Sequence, residues 1–200
     1  TSKDNRTITE VTGNHLGKKS NEDVVYFESI NHTVNYFPLN LQKTFEKLNF
    51  LEIDYSSMLE VTADDLQQFD SSFKGFFIED GNITILQAGL FATMPNLEQI
   101  SFLANNIKHV DDGVFTNLKN LTRLNFGFNS CFSGCLSYHD DDEIAMKMLQ
   151  IDIETKCDKK LSEDELIENY SDDVFTCLNE PYLTKKEIDD KKTKYGKSHK

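Results

Sequence analysis

Apolar residues recur along this chain at one long, fixed spacing. With Phe73, Leu97 and Leu121 set in register, the fourth slot reads Phe76, Ile100, Leu124 and the sixth Ile78, Phe102, Phe126. The eleventh slot reads Ile83, Ile107, Cys131, and Leu86 and Val110 share the fourteenth. Gly89-Leu90-Phe91 and Gly113-Val114-Phe115 recur in phase, followed by Met94 and Leu118. The period is 24 residues, within the range of solenoids and other repeat arrays. Further back, Leu48, Leu51, Ile53, Met58, Val61, Leu66 and Phe69 fill the same slots, with one extra residue before Phe73. Val24, Phe27, Val34, Phe37 and Phe45 fill them once more, so repeats start at 24, 48, 73, 97 and 121. Ser29 occupies the sixth slot of the first repeat, where that end departs from the pattern.

A pair of apolar residues two apart points both side chains to one face of a short strand. The Phe and later apolar slots close each coil from the other side. A single coil cannot bury its own apolar face, whereas stacked neighbours form a continuous core. The pattern, Leu-x-x-Leu-x-Leu-x-x-Asn-x-Leu with a Phe near position nineteen, resembles the leucine-rich repeat family in its typical animal form, over residues 24–135. Asn105 and Asn129 match the family's ladder asparagine; His32, Ser56 and Gly81 stand there in the first three repeats, so a continuous amide ladder is not expected in them. The resemblance implies an α/β solenoid: a right-handed superhelix whose short, curved parallel sheet has about five strands. These should centre on Phe27, Leu51 to Ile53, Phe76 to Ile78, Ile100 to Phe102 and Leu124 to Phe126. Phe102 with Phe126, and Phe91 with Phe115, should be buried and stacked between neighbouring coils.

The flanks divide the rest. Residues 1–23 are polar, and the alternation from Thr7 to Thr12, ended by Gly13-Asn14, predicts an edge strand that caps the first coil. The stretches Gly13-Asn14-His15-Leu16, Ser20 to Val24 and Tyr36-Phe37-Pro38 resemble short secreted insect leucine-rich repeat proteins. Residues 136–180 follow Cys131 and Cys135 and contain Cys157 and Cys177. Four cysteines permit three pairings. Their arrangement resembles the cysteine-containing C-terminal flank of extracellular leucine-rich repeat arrays, which implies Cys131–Cys157 and Cys135–Cys177 in a helical, disulfide-linked cap. The family usually separates the first two cysteines by one residue; here there are three. Asp140 to Glu143 suit the first turn of a helix running through Leu149, and Leu161 to Tyr170 predicts a second. Residues 181–200 form a tail with seven lysines against three acids, read as solvated.

Side chains flanking the apolar pair point away from the core, onto the concave sheet face. They gather aromatics beside carboxylates: Tyr26, Glu28, Phe50, Glu52, Asp54, Tyr55, Phe77, Glu79, Asp80, Arg123 and Phe128. Aromatics are enriched in interface cores, so these are the candidate ligand-binding residues, and a basic protein or peptide is the partner they suit.

Charge and chemistry sharpen the picture. The net charge of −13 disfavours phosphate backbones and anionic lipid, and no apolar run approaches a membrane span. Sequons at Asn5, Asn31, Asn82, Asn120 and Asn169, with an even cysteine count, point to a secreted, glycosylated protein. The chain starts at Thr1 rather than Met, consistent with removal of a leader or preceding segment. The histidines fall in no nucleophile or zinc-protease motif, His109 reads as a surface residue, and no phosphate loop follows a strand. Cys131, Cys135, His139 and Cys157 have the residue types for zinc, but the disulfide flank accounts for all four cysteines. The expectation is a non-enzymatic recognition or scaffold module, without metal or cofactor, in innate immunity or adhesion. The alternatives are an inhibitor of a hydrolase or protease, and a structural fragment of a receptor ectodomain. No feature of the sequence sets the oligomeric state.

Overall fold

In the computed structural model, residues 3–11, 15–132, 137–139 and 143–158 are described. Beyond short turns, the order is β1 (Tyr26–Ile30), α1 (Leu41–Thr44), β2 (Phe50–Asp54), α2 (Ala63–Leu66), β3 (Gly75–Ile78), β4 (Ile85–Leu86), β5 (Gln99–Ser101), β6 (His109–Val110), β7 (Arg123–Asn125), β8 (Ser137–His139) and α3 (Glu143–Asp158). β1, β2, β3, β5 and β7 form one parallel sheet, one strand per repeat. The third slot stays in register across it, Tyr26 to Phe50 to Gly75 to Gln99 to Arg123. The fold is a leucine-rich repeat solenoid.

Leu51, Ile53, Phe76, Ile78, Ile100, Phe102, Leu124 and Phe126 are completely buried beneath the sheet. Side chains alternate in direction along each strand, so their neighbours form the concave face. At the eighth slot the chain leaves the sheet through a left-handed residue in every repeat: Asn31, Tyr55, Asp80, Ala104 and Phe128, with φ between 46° and 57°. Outside glycine this conformation costs about 1 kcal/mol or more each, and it holds because the strand before each turn is locked into the ladder. Tyr55, Asp80 and Phe128 therefore sit at the sheet's rim, beyond the ends of β2, β3 and β7, rather than on the strands themselves. A second left-handed turn falls at the seventeenth slot, where Gly89 and Gly113 have φ 75° and 80° and Asn40 substitutes with 67°.

The extra residue of the second repeat is absorbed between Phe69 and Phe73. The Asp70 carboxylate accepts the Ser72 N–H at 2.7 Å, and Phe73 N–H donates to Asp70 O at 3.1 Å, tightening that turn. Rings continue through the core: Phe37 stacks on Phe76 at 6.0 Å, and Phe91 on Phe115 at 6.5 Å. The sixth-slot pair differs from expectation, because Phe102 meets Phe76 and Phe91, while Phe126 meets Phe132. Asn105 and Asn129 form the amide rungs: Nδ2 of Asn105 donates to Ile78 O at 2.8 Å, and that of Asn129 to Phe102 O at 2.8 Å.

The N-terminal flank departs from the sequence reading, whereas the C-terminal flank keeps the expected helix and the Cys131–Cys157 bridge and adds a strand. Near the N-terminus, Thr7 makes one parallel bridge to Leu39, and Arg6 and Ile8 bond its backbone on both sides. The segment thus runs as a strap away from β1, since the Arg6 guanidinium seeks the buried Asp65 carboxylate at 2.6 Å. At the other end, β8 pairs antiparallel with β7, closing that edge before α3 begins. The helix that the sequence predicts for the cap follows as α3. Met146, Leu149, Ile153 and Cys157 give α3 one buried face, against β6. Cys131 and Cys157 are joined by a disulfide, which removes two of the four ligands of the zinc alternative. Cys135, Cys177, Asn169, the helix expected at 161–170 and the tail 181–200 lie outside the described residues. His109 is not a free surface residue: Nδ1 lies 3.0 Å from Cys157 O, and Nε2 2.7 Å from Asp111 Oδ1.

Candidate protein-binding site on the concave face

Eight of the eleven candidate residues, Tyr26, Glu28, Phe50, Glu52, Asp54, Phe77, Glu79 and Arg123, occupy alternate strand positions on the concave side or its immediate end. Gly75 explains how the aromatics fit. A Cβ there would lie 2.1 Å from Phe50 Cδ1 and 3.0 Å from Phe77 Cε2, so the missing side chain is the space into which these rings pack. Arg123 reaches across β5 and places its guanidinium 5.5 Å from the Phe77 ring centroid. A cation over an aromatic face is attracted by the ring's negative face. Its Nε–H is buried without an acceptor among the described residues.

Carboxylates surround this aromatic centre. The Tyr26 hydroxyl donates to Glu52 and, at 3.2 Å, to Glu28. Burial first, then the Glu52 hydrogen bond and charge, push the phenol far above its usual value. Burial also pushes the Glu79 carboxyl up; the Ser101 hydrogen bond and Arg123 oppose this, and Asp54 and Glu52 reinforce it. Burial raises Asp80, against a hydrogen bond shared with Asp54. Desolvation lowers Arg123, while Glu79 and Glu52 favour its charge. Face and rim together expose Tyr26 (41%), Tyr55 (61%) and Phe128 (36%) beside this charge. The arrangement offers apolar contact area with an excess of negative charge; among the described residues no acidic or His/Cys cluster has metal-holding geometry.

The sequence reading did not include Gly75 and Ser101 among the site residues. Both stand in third or fifth slots where other repeats carry large groups, and that contrast was the available signal. Away from this face, an open depression on the convex side is lined by Ala63, Gln67, Gly89, Leu90, Ala92 and Thr93, none of them titratable.

The family described as Leucine rich repeat matches residues 76–131. With the solenoid, this supports a leucine-rich repeat protein, a class that generally serves as non-enzymatic protein-interaction modules. No curated protein matches the chain. No helix among the described residues is long and apolar enough to cross a membrane.

Proposed function

We propose that this repeat array is an extracellular recognition module whose concave face binds a basic segment of a protein partner. The observation that carries the reading is the aromatic floor of Phe50 and Phe77, packed over Gly75 and ringed by Glu28, Glu52, Asp54 and Glu79. Rigid aromatics supply contact area at small entropic cost, and hot spots favour them. The carboxylates select Lys- and Arg-bearing partners and speed their approach, while repelling nucleic acid. Location outside the cell is supported by the Cys131–Cys157 disulfide and by the exposure of Asn5, Asn31, Asn82 and Asn120, which leaves room for glycans. Adhesion or innate immune recognition is the setting that the resemblance to secreted insect repeat proteins implies.

Differential capture tests this reading. Immobilised wild-type chain and the Phe50→Ala/Phe77→Ala variant are exposed to the same extracellular fluid, and retained proteins are compared by mass spectrometry. Basic partners retained by wild type and lost by the variant support the proposal. Identical retention by both, or retention of acidic partners, contradicts it.

A further inference from the structure

The two edges of the sheet are treated differently. β8 covers β7, whereas no strand among the described residues pairs with the outer side of β1. The backbone direction there follows from two bonds: Val25 O accepts from Phe50 N–H, and Asn31 N–H donates to Asp54 O. In a parallel ladder both groups of alternate residues face the same neighbour. Val25, Phe27, Ser29 and Asn31 therefore face β2, and the N–H and C=O groups of Tyr26, Glu28 and Ile30 point to the open side. Natural edges are usually blunted by coverage, proline or lysine. This one carries exposed Val25 (49%), Tyr26 (41%) and Ile30 (40%), and its charged residue is an acid. The N-terminal strap leaves it open because its bonds go to Leu39.

We propose that the outer edge of β1 is a strand-addition site for an extended basic segment of another protein, which pairs its backbone with Tyr26, Glu28 and Ile30. Main-chain pairing supplies affinity in such complexes, and alternate side chains supply specificity. On the concave side the added strand places a Lys or Arg opposite Glu28, between apolar residues opposite Tyr26 and Ile30; its other side chains lie beside Val25 and half-buried Phe27. Glu52, on the next strand and bonded to Tyr26, reinforces the preference for a cation. A second copy of this chain fits poorly. A two-fold antiparallel pairing centred on β1 sets Glu28 opposite Glu28, a destabilising like-charge pair, within a chain of net charge −13. The site shares Tyr26 and Glu28 with the concave surface, but its defining contacts are backbone groups.

The test uses the full chain and the peptide Lys-Ile-Val-Lys-Val-Ile-Lys, whose central lysine meets Glu28 in either strand direction. Hydrogen exchange is measured with and without peptide. Slowing is expected at the amides of Tyr26, Glu28 and Ile30, with little change at Phe27 and Ser29, whose N–H groups already face β2. By fluorescence anisotropy, Ile30→Pro should weaken binding about tenfold or more, because proline removes an outward N–H. Ile30→Ala should cost about threefold at most, since it keeps that group. Replacing the peptide's central lysine by glutamate should abolish binding. The Phe50→Ala/Phe77→Ala variant should keep β1 protection, so the outcome stands apart from that of the concave-face reading. Unchanged exchange at all three amides, wild-type affinity of Ile30→Pro, or pairing of two copies in sedimentation would each overturn the proposal.

Discussion

A Cβ on Gly81 would lie 2.6 Å from Asn105 Oδ1. That oxygen accepts the Ile83 N–H while the Asn105 amide donates to Ile78 O. Gly81→Ala should therefore break one rung and cost about 1–3 kcal/mol, the range for leaving buried polar groups unpaired, read from urea midpoints. Such dependence was only half readable: Asn105 and Asn129 announce the rungs, but nothing local to Gly81 says that its missing side chain houses the neighbour's amide. The same holds for Gly75 beneath Phe50. Glu79 yields a pH signature. Its folded value is raised by burial, so between the unfolded and folded values the native state binds more protons, and stability falls as pH rises through that window. Glu79→Gln removes this titration while the Arg123 charge stays constant. The stability of the variant relative to wild type should thus increase from pH 4 to pH 7 in urea titrations; a constant difference would mean that Glu79 is effectively solvated.

The repeat strands were readable from the sequence because their apolar slots are in phase; of the flanks, lacking that repetition, only α3 and the Cys131–Cys157 bridge were. Alternation from Thr7 to Thr12 suggests a strand, yet the strongest local demand is electrostatic. Asp65 is buried, holds the Thr62 N–H and hydroxyl at 2.9 Å each through its Oδ2, and takes Arg6 at 2.6 Å. An ion pair between residues 59 apart leaves no local trace. Arg6→Ala should cost about 2–3 kcal/mol, less than for a fully buried pair because Thr62 still satisfies the carboxylate. It should also release the strap, raising amide exchange at Ile8 and Leu39. At the far end, His109→Ala removes the contacts tying β6 to the last turn of α3. About 1–2 kcal/mol is expected in thermal or urea melts, with faster exchange at the C-terminal turn of α3.

The array as a whole is quasi-one-dimensional, each coil bearing on its neighbours, so damage should spread locally first. Phe115, completely buried against Phe91, should cost about 3–5 kcal/mol on truncation to Ala. A change below about 1 kcal/mol would place it outside the core. Removing the Cys131–Cys157 bridge should cost about 2–5 kcal/mol and appear first as exchange in β6 and β7. The overall architecture was visible in the sequence because a period carried through five repeats overdetermines the register, and the inserted residue at 70–72 did not break it. The candidate surface was visible only as composition: concave slots rich in aromatics and acids. The packing that makes them one surface, with Arg123 spanning β5 to reach Phe77, depends on curvature and missing side chains. The most direct test of the account is an amide-exchange footprint of the captured basic partner on the full chain. Protection concentrated in β1, β2, β3 and the neighbouring strand ends around Glu79 is the predicted result. Protection confined to β4, β6, α2 or α3, with the concave strands unchanged, would contradict it.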